Sequence, residues 1–272
     1  MEYKQPKHIN IRIKNPFLTI AGLALAVFLL GIGIAAIFGA RDTNLTLSSG
    51  EEIRFTGLFD REGNPISGTI YYANGLSAEI DLEAERVTYS DGTVFLGKLD
   101  SDYRRSGKGS ITWQNGDSYE GDFLADKLSG YGVYTFKSGD VYEGEFLDGK
   151  KHGRGKYTSF DGSYYDGEFE NDLRHGKGKL VTGDGGVYEG EFASGVKSGK
   201  GVYFYPNGDS YEGGFAGDLR HGTGKYVWAN GETYTGEFAN GNMNGYGTYT
   251  WPEGRASYTG YFKDGEIVVV DD

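Results

Sequence analysis

Apolar and polar side chains along this chain follow two different rhythms. From Phe17 to Ala40 the run FLTIAGLALAVFLLGIGIAAIFGA holds 24 residues with Thr19 as its one polar side chain. A helix of that length reaches about 36 Å, enough to cross a hydrocarbon core of roughly 30 Å. Beyond it the pattern alternates residue by residue, as in Tyr142-Glu143-Gly144-Glu145-Phe146 and Gly153-Arg154-Gly155-Lys156-Tyr157. Alternation with period two places Tyr142, Gly144 and Phe146 on one face of a strand and Glu143 and Glu145 on the other. Asp148-Gly149 and Asp161-Gly162 supply turn residues between such strands. Each unit therefore reads as a β-hairpin with an aromatic-and-glycine face and a charged face.

The hairpin is copied. Tyr119, Tyr142, Tyr165, Tyr188, Tyr211 and Tyr234 stand 23 residues apart, and Phe123, Phe146, Phe169 and Phe192 follow at fixed offset. A period of this length means one supersecondary unit stacked on itself. The cassettes resemble the MORN (membrane occupation and recognition nexus) repeat. The YEGxF-like openings at Tyr119, Tyr142, Tyr165, Tyr188 and Tyr211 carry the resemblance, with weaker ones at Tyr234 and Tyr258. HGxG-like segments at His152, His175 and His221 and the turns at Gly116, Gly162, Gly208 and Gly231 support it. The resemblance implies an all-β fold, an elongated single-layer antiparallel sheet of stacked hairpins. It also implies scaffolding, self-association or lipid contact.

The expected organisation is a short basic tail over 1–15, a transmembrane helix over 16–40 and a linker over 41–53. Divergent N-terminal repeats or a cap follow over 54–94, then repeats of about 23 residues over 95–265 and a C-terminal edge strand and tail over 266–272. Within a hairpin, placing Phe146 opposite Gly153 would pair Glu143 with Lys156 and Glu145 with Arg154; in the next unit it would pair Asp166 with Lys179 and Glu168 with Lys177.

Charge sets the orientation. Lys4, Lys7, Arg12 and Lys14 precede the apolar run, while Arg41 alone lies close behind it, followed by Asp42, Glu51 and Glu52. The positive-inside bias keeps the N-terminus in the cytosol and places the repeats outside it, as a single-pass protein of the cell membrane. A cleaved signal peptide is the rival reading, opposed by the bulky Phe38 where a small residue is wanted. The formal net charge is −12, which disfavours nucleic acid as a partner.

Several chemistries dissolve once the period is seen. The carboxylate pairs Glu143/Glu145, Asp166/Glu168 and Glu189/Glu191 recur with the repeat, whereas a catalytic pair stands out as singular. His152, His175 and His221 occupy one column, spaced too widely to share an ion whose bonds are about 2 Å long. No cysteine is present, and no catalytic residue, cofactor or metal is expected. What is left is the aromatic face, Tyr119, Tyr142, Tyr165, Tyr188, Tyr211 and Tyr234 with Phe123, Phe146, Phe169 and Phe192. Either sheet curvature buries it or it binds a protein partner, a second copy, a lipid or a polysaccharide.

Overall fold

The computed structural model describes residues 40–268, and every regular element in them is a β-strand. The transmembrane segment expected from Phe17 to Ala40 lies outside the described residues, save for Ala40 itself. Among those described, no helix is long and apolar enough to cross a membrane.

Two compact units divide between Ala84 and Glu85. The first holds β1 (Arg41–Thr46), β2 (Glu52–Phe59), β3 (Pro65–Tyr71) and β4 (Ser77–Asp81), each antiparallel to its chain neighbour. Its core is Ile53, Phe55, Phe59, Ile70, Ala78 and Ile80. The segment expected as a linker over 41–53 is thus largely structured. All six residues of β1 pair with β2, and Arg54 of that strand donates to both carboxylate oxygens of Asp42. The unit boundary also falls inside the 54–94 block expected as divergent N-terminal repeats or a cap.

The second unit is a meander in which consecutive strands pair antiparallel from its first strand to its last. It opens with β5 (Arg86–Tyr89), β6 (Val94–Leu99), β7 (Arg105–Thr112), β8 (Ser118–Leu124) and β9 (Lys127–Thr135). The repeats continue with β10 (Val141–Leu147), β11 (Lys150–Thr158), β12 (Tyr164–Glu170), β13 (Leu173–Val181), β14 (Val187–Ala193) and β15 (Val196–Phe204). Then come β16 (Ser210–Ala216), β17 (Leu219–Val227), β18 (Thr233–Ala239), β19 (Asn242–Thr250), β20 (Tyr258–Lys263) and a closing β21 (Glu266–Ile267). The hairpin loops have two residues, both with positive φ: Asp148 and Gly149 at 53° and 82°, Asn171 and Asp172 at 50° and 71°. That is the type I′ signature, whose twist matches that of the flanking strands.

The register within each hairpin differs from the expected one at its loop end. Glu143 faces Lys156 and Gly144 faces Gly155 as expected, but Phe146 then faces Lys151 instead of Gly153. Two extra residues are accommodated on β11, where Gly153 adopts φ +59°. The same bulge recurs one unit on, and places Glu168 opposite His175, not Lys177. The expected pairing of Phe with the first glycine does occur, between hairpins: Gly153 faces Phe169, and Arg154 faces Glu168. The bulge has a consequence for the core, because it puts Lys151, Arg174, Lys197 and Arg220 directly across from a core phenylalanine.

Candidate interaction surface

The aromatic residues for which self-burial and binding were both open form the core of the second unit. Tyr119, Tyr142, Tyr165, Tyr188, Tyr211 and Tyr234, with Phe123, Phe146, Phe169 and Phe192, are all buried. No second layer is needed, because the rings cover one another. Tyr142 meets Phe146 of its own strand edge-on at 5.0 Å and Phe169 of the next repeat at 5.1 Å. The same double contact repeats for Tyr165, Tyr188, Tyr211 and Tyr234. Each tyrosine lies flat over two glycines, Tyr142 over Gly144 and Gly155, so that a Cβ on either would strike its ring. Its hydroxyl donates back to the carbonyl of Glu145 at 2.9 Å.

Cations close the ladder. Lys151, Arg174, Lys197 and Arg220 sit over the rings of two successive repeats, Lys151 at 5.8 Å from Tyr142 and 5.9 Å from Phe169. Burial depresses the ammonium pKa of Lys151 and Lys197. The alternating pattern gave no signal for these four residues, because the bulge that turns them inward breaks the alternation itself.

A second aromatic row runs beside the first and, apart from the buried Tyr226, is only half-buried. It includes Tyr203, Tyr205, Tyr226, Trp228, Tyr249 and Trp251, with successive centroids 4.3 to 5.7 Å apart. Carboxylates of the interrepeat turns anchor this row. Asp209 accepts the Tyr226 hydroxyl, the side-chain amide of Asn207 and the backbone N–H of Ala229. Asp117 and Asp140 accept the hydroxyls of Tyr134 and Tyr157 in the same way. Asp209 is itself buried, so replacing it with Ala strands several donors. The expected cost is about 1–3 kcal/mol, measurable by denaturant unfolding.

The other face carries the charges and is open. Lys108 and Asp122 close to 3.0 Å, and Lys179 and Glu189 to 2.6 Å. Glycine rows floor two grooves there. One, of about 380 Å³, is bordered by Arg154, Asp166, Lys177, Glu189, Glu191 and Lys200. The other, of about 730 Å³, is bordered by Lys200, Val202, Gly214, His221, Thr223 and Thr235. His152, His175 and His221 lie at the bulges, and His175 Nδ1 stands 3.5 Å from Glu170.

The class defined by this geometry is a β-hairpin repeat array with an internally consumed aromatic row. Seven consecutive matches to the MORN repeat model, from 101–118 through 234–254, cover more than half of the sequence, and the chain belongs to the MORN-repeat family. No curated protein sequence matches it. Among solved structures it is similar to the TCP10 domain of Danio rerio CPAP in complex with a STIL peptide. Identity there is 15%, with 82% of this chain and 100% of that one covered, at a TM-score of 0.37. The Drosophila melanogaster SAS-4 TCP domain, in complex with a proline-rich motif of Ana2, is 16% identical over 61% of this chain and 94% of that one, at 0.35. Scores this low support no functional comparison.

Proposed function

We propose that this protein is a non-catalytic, membrane-anchored scaffold that holds a protein partner, or a second copy of itself, along the charged face of its repeats. The two glycine-floored grooves on that face carry the reading. They are of ligand-binding size, whereas the first aromatic row, which would otherwise attract a partner, is spent on the core. The anchor rests on the apolar run Phe17 to Ala40, and the orientation on the basic residues before it.

Capture with the full-length chain in mild detergent, together with light scattering, tests the scaffold. Reversing Arg154 and Lys177 to Glu should weaken the captured complex by roughly tenfold or more. A monomeric chain that retains nothing, or a complex indifferent to both reversals, sinks the proposal. A reporter fused after Asp272 tests the orientation: activity on the cytosolic side would overturn it. One observation favours a second reading. Tyr203, Tyr205 and Trp228 remain half-exposed in the second aromatic row, where rings could stack on a polysaccharide or touch a bilayer. Co-sedimentation with cell-wall polysaccharide separates the two, because a protein scaffold predicts no pelleting.

A further inference from the structure

The larger groove is a place where the repeat pattern lapses within the array. The last residue before the phenylalanine of each YEGxF cassette is acidic at Asp122, Glu145, Glu168, Glu191 and Glu237; between the last two stands Gly214. Where present, this carboxylate performs one of two tasks, and Glu168 performs both. Across the bulge of its own hairpin it accepts a backbone N–H: Glu145 from Arg154 at 3.0 Å, Glu168 from Lys177 at 3.1 Å, Glu237 from Tyr246 at 2.9 Å. Across to the preceding hairpin it faces a cation: Asp122 faces Lys108, Glu168 faces Arg154 and Glu191 faces Lys177.

At Gly214 both tasks fall open together. Lys200 faces Gly214 and makes no ion pair among the described residues. Thr223 occupies the position of Arg154 and Lys177, with no side chain at 214 to meet its N–H. The room is there too. A Cβ placed on Gly153, Gly176 or Gly245 meets the carboxylate of its own hairpin, whereas one on Gly222 meets nothing within 4 Å. Lys200, Gly214, His221, Gly222 and Thr223 all border the 730 Å³ groove.

We infer that this groove receives a single carboxylate from a partner polypeptide, an Asp or Glu side chain in an extended segment, which takes the position that Glu145 and Glu168 fill in their own repeats. Lys200 supplies the charge and the Thr223 N–H a donor, a pairing of the strong, charge-assisted kind. Val202, Thr223 and Thr235 replace charged residues of the other repeats along the same groove, so apolar residues beside the carboxylate suit it. Of the nearby carboxylates, Glu191 faces Lys177 and Glu237 accepts from Tyr246, while Glu212, which also borders the groove, faces Lys225 on one side and Val202 on the other. A polyanion would meet the field of the whole acidic array, whereas one carboxylate meets this local cation. That favours a peptide over an anionic lipid surface.

The inference rests on the protein-partner reading above, and its test can fail separately. Amide spectra of the isotope-labelled full-length chain are titrated with a blocked valine–glutamate–valine tripeptide and with its glutamine counterpart. Saturable shifts at His221, Gly222 and Thr223 are expected for the glutamate peptide, with binding about tenfold weaker for glutamine. Gly214→Glu should abolish the saturable shift by supplying the carboxylate internally. A Cβ at 214 meets the carbonyl of His221, so the strands must part there, and Lys200→Gln serves as the second variant. It lies on the open face and should weaken the glutamate peptide to the level of the glutamine one. Equal shifts for both peptides, or full binding by Lys200→Gln, would overturn the carboxylate site. So would anionic vesicles that move the same amides while the peptide does not. If the site falls while partner capture persists, the scaffold reading stands.

Discussion

Tyr142→Ala should lower unfolding stability by about 3–5 kcal/mol, the range for deleting a large buried aromatic, whereas Tyr142→Phe should cost only about 1 kcal/mol for its lost hydroxyl bond. The ring is fully buried, touches Phe146 and Phe169, and is the lid over Gly144 and Gly155. Its removal therefore opens the seam between two repeats as well as a cavity within one. In an array whose units contact only their neighbours, such damage stays local before it spreads. Hydrogen exchange should rise first in β10 to β13, while β16 to β19 keep their protection. The partner experiment approaches the same contact from the other side. Gly155→Val drives a branched side chain into the Tyr142 ring and should reproduce the exchange pattern. Equal costs for the Ala and Phe variants would mean that the hydroxyl, and not the ring, holds the seam.

The hairpin, its turns and the pairing of Tyr142, Gly144 and Phe146 on one face were legible because each depends on neighbours within a few residues. Alternation sets the face, and Asp148-Gly149 sets a turn whose positive φ the structure shows. Two things were not legible. The bulge at Gly153 requires an αL residue, and glycine in that position reads equally well as part of a regular strand. From this one ambiguity follow the displaced pairing of Glu145 and Glu168 and the hidden role of Lys151 and Arg174. The fate of the aromatic face was illegible for a different reason. Whether Tyr165 touches Phe192 depends on how far each hairpin twists against the next, a quantity that no local pattern encodes. The Gly214 lapse lay in plain view as a departure from the repeat, but it acquires meaning only once Glu145 is seen to bond Arg154 N–H.

Raising the pH should unfold the repeats cooperatively between about 10 and 12, with phenolate appearing in the same transition. Burial, the largest cause throughout, raises the hydroxyls of Tyr119, Tyr165, Tyr188 and Tyr211 to about 12. Tyr134, Tyr157 and Tyr249 also reach about 12, where hydrogen bonds to Asp117, Asp140 and Glu232 add to burial. Tyr142 and Tyr226 are pushed up by burial as well. An unfolded tyrosine loses its proton near pH 10. Above that value the unfolded chain binds fewer protons than the folded one, so stability falls as pH rises, by up to about 1.4 kcal/mol per unit for each such tyrosine. The contribution is complete below pH 10 and is lost as the pH climbs through the folded values. Lys151 and Lys197 act in the opposite sense. Their depressed pKa values leave the unfolded chain with more bound protons below its ordinary lysine range, so stability rises there with pH. Two lysines set against this row of tyrosines do not reverse the sign. Several tyrosines together exceed the roughly 5–15 kcal/mol by which domains are stable, and unfolding should therefore precede ionisation of the buried rings. Phenolate absorbance and circular dichroism followed on one sample decide the matter. A smooth phenolate titration centred near 10, with the β signal unchanged, would show that the rings are open to water and that the ladder is not the core.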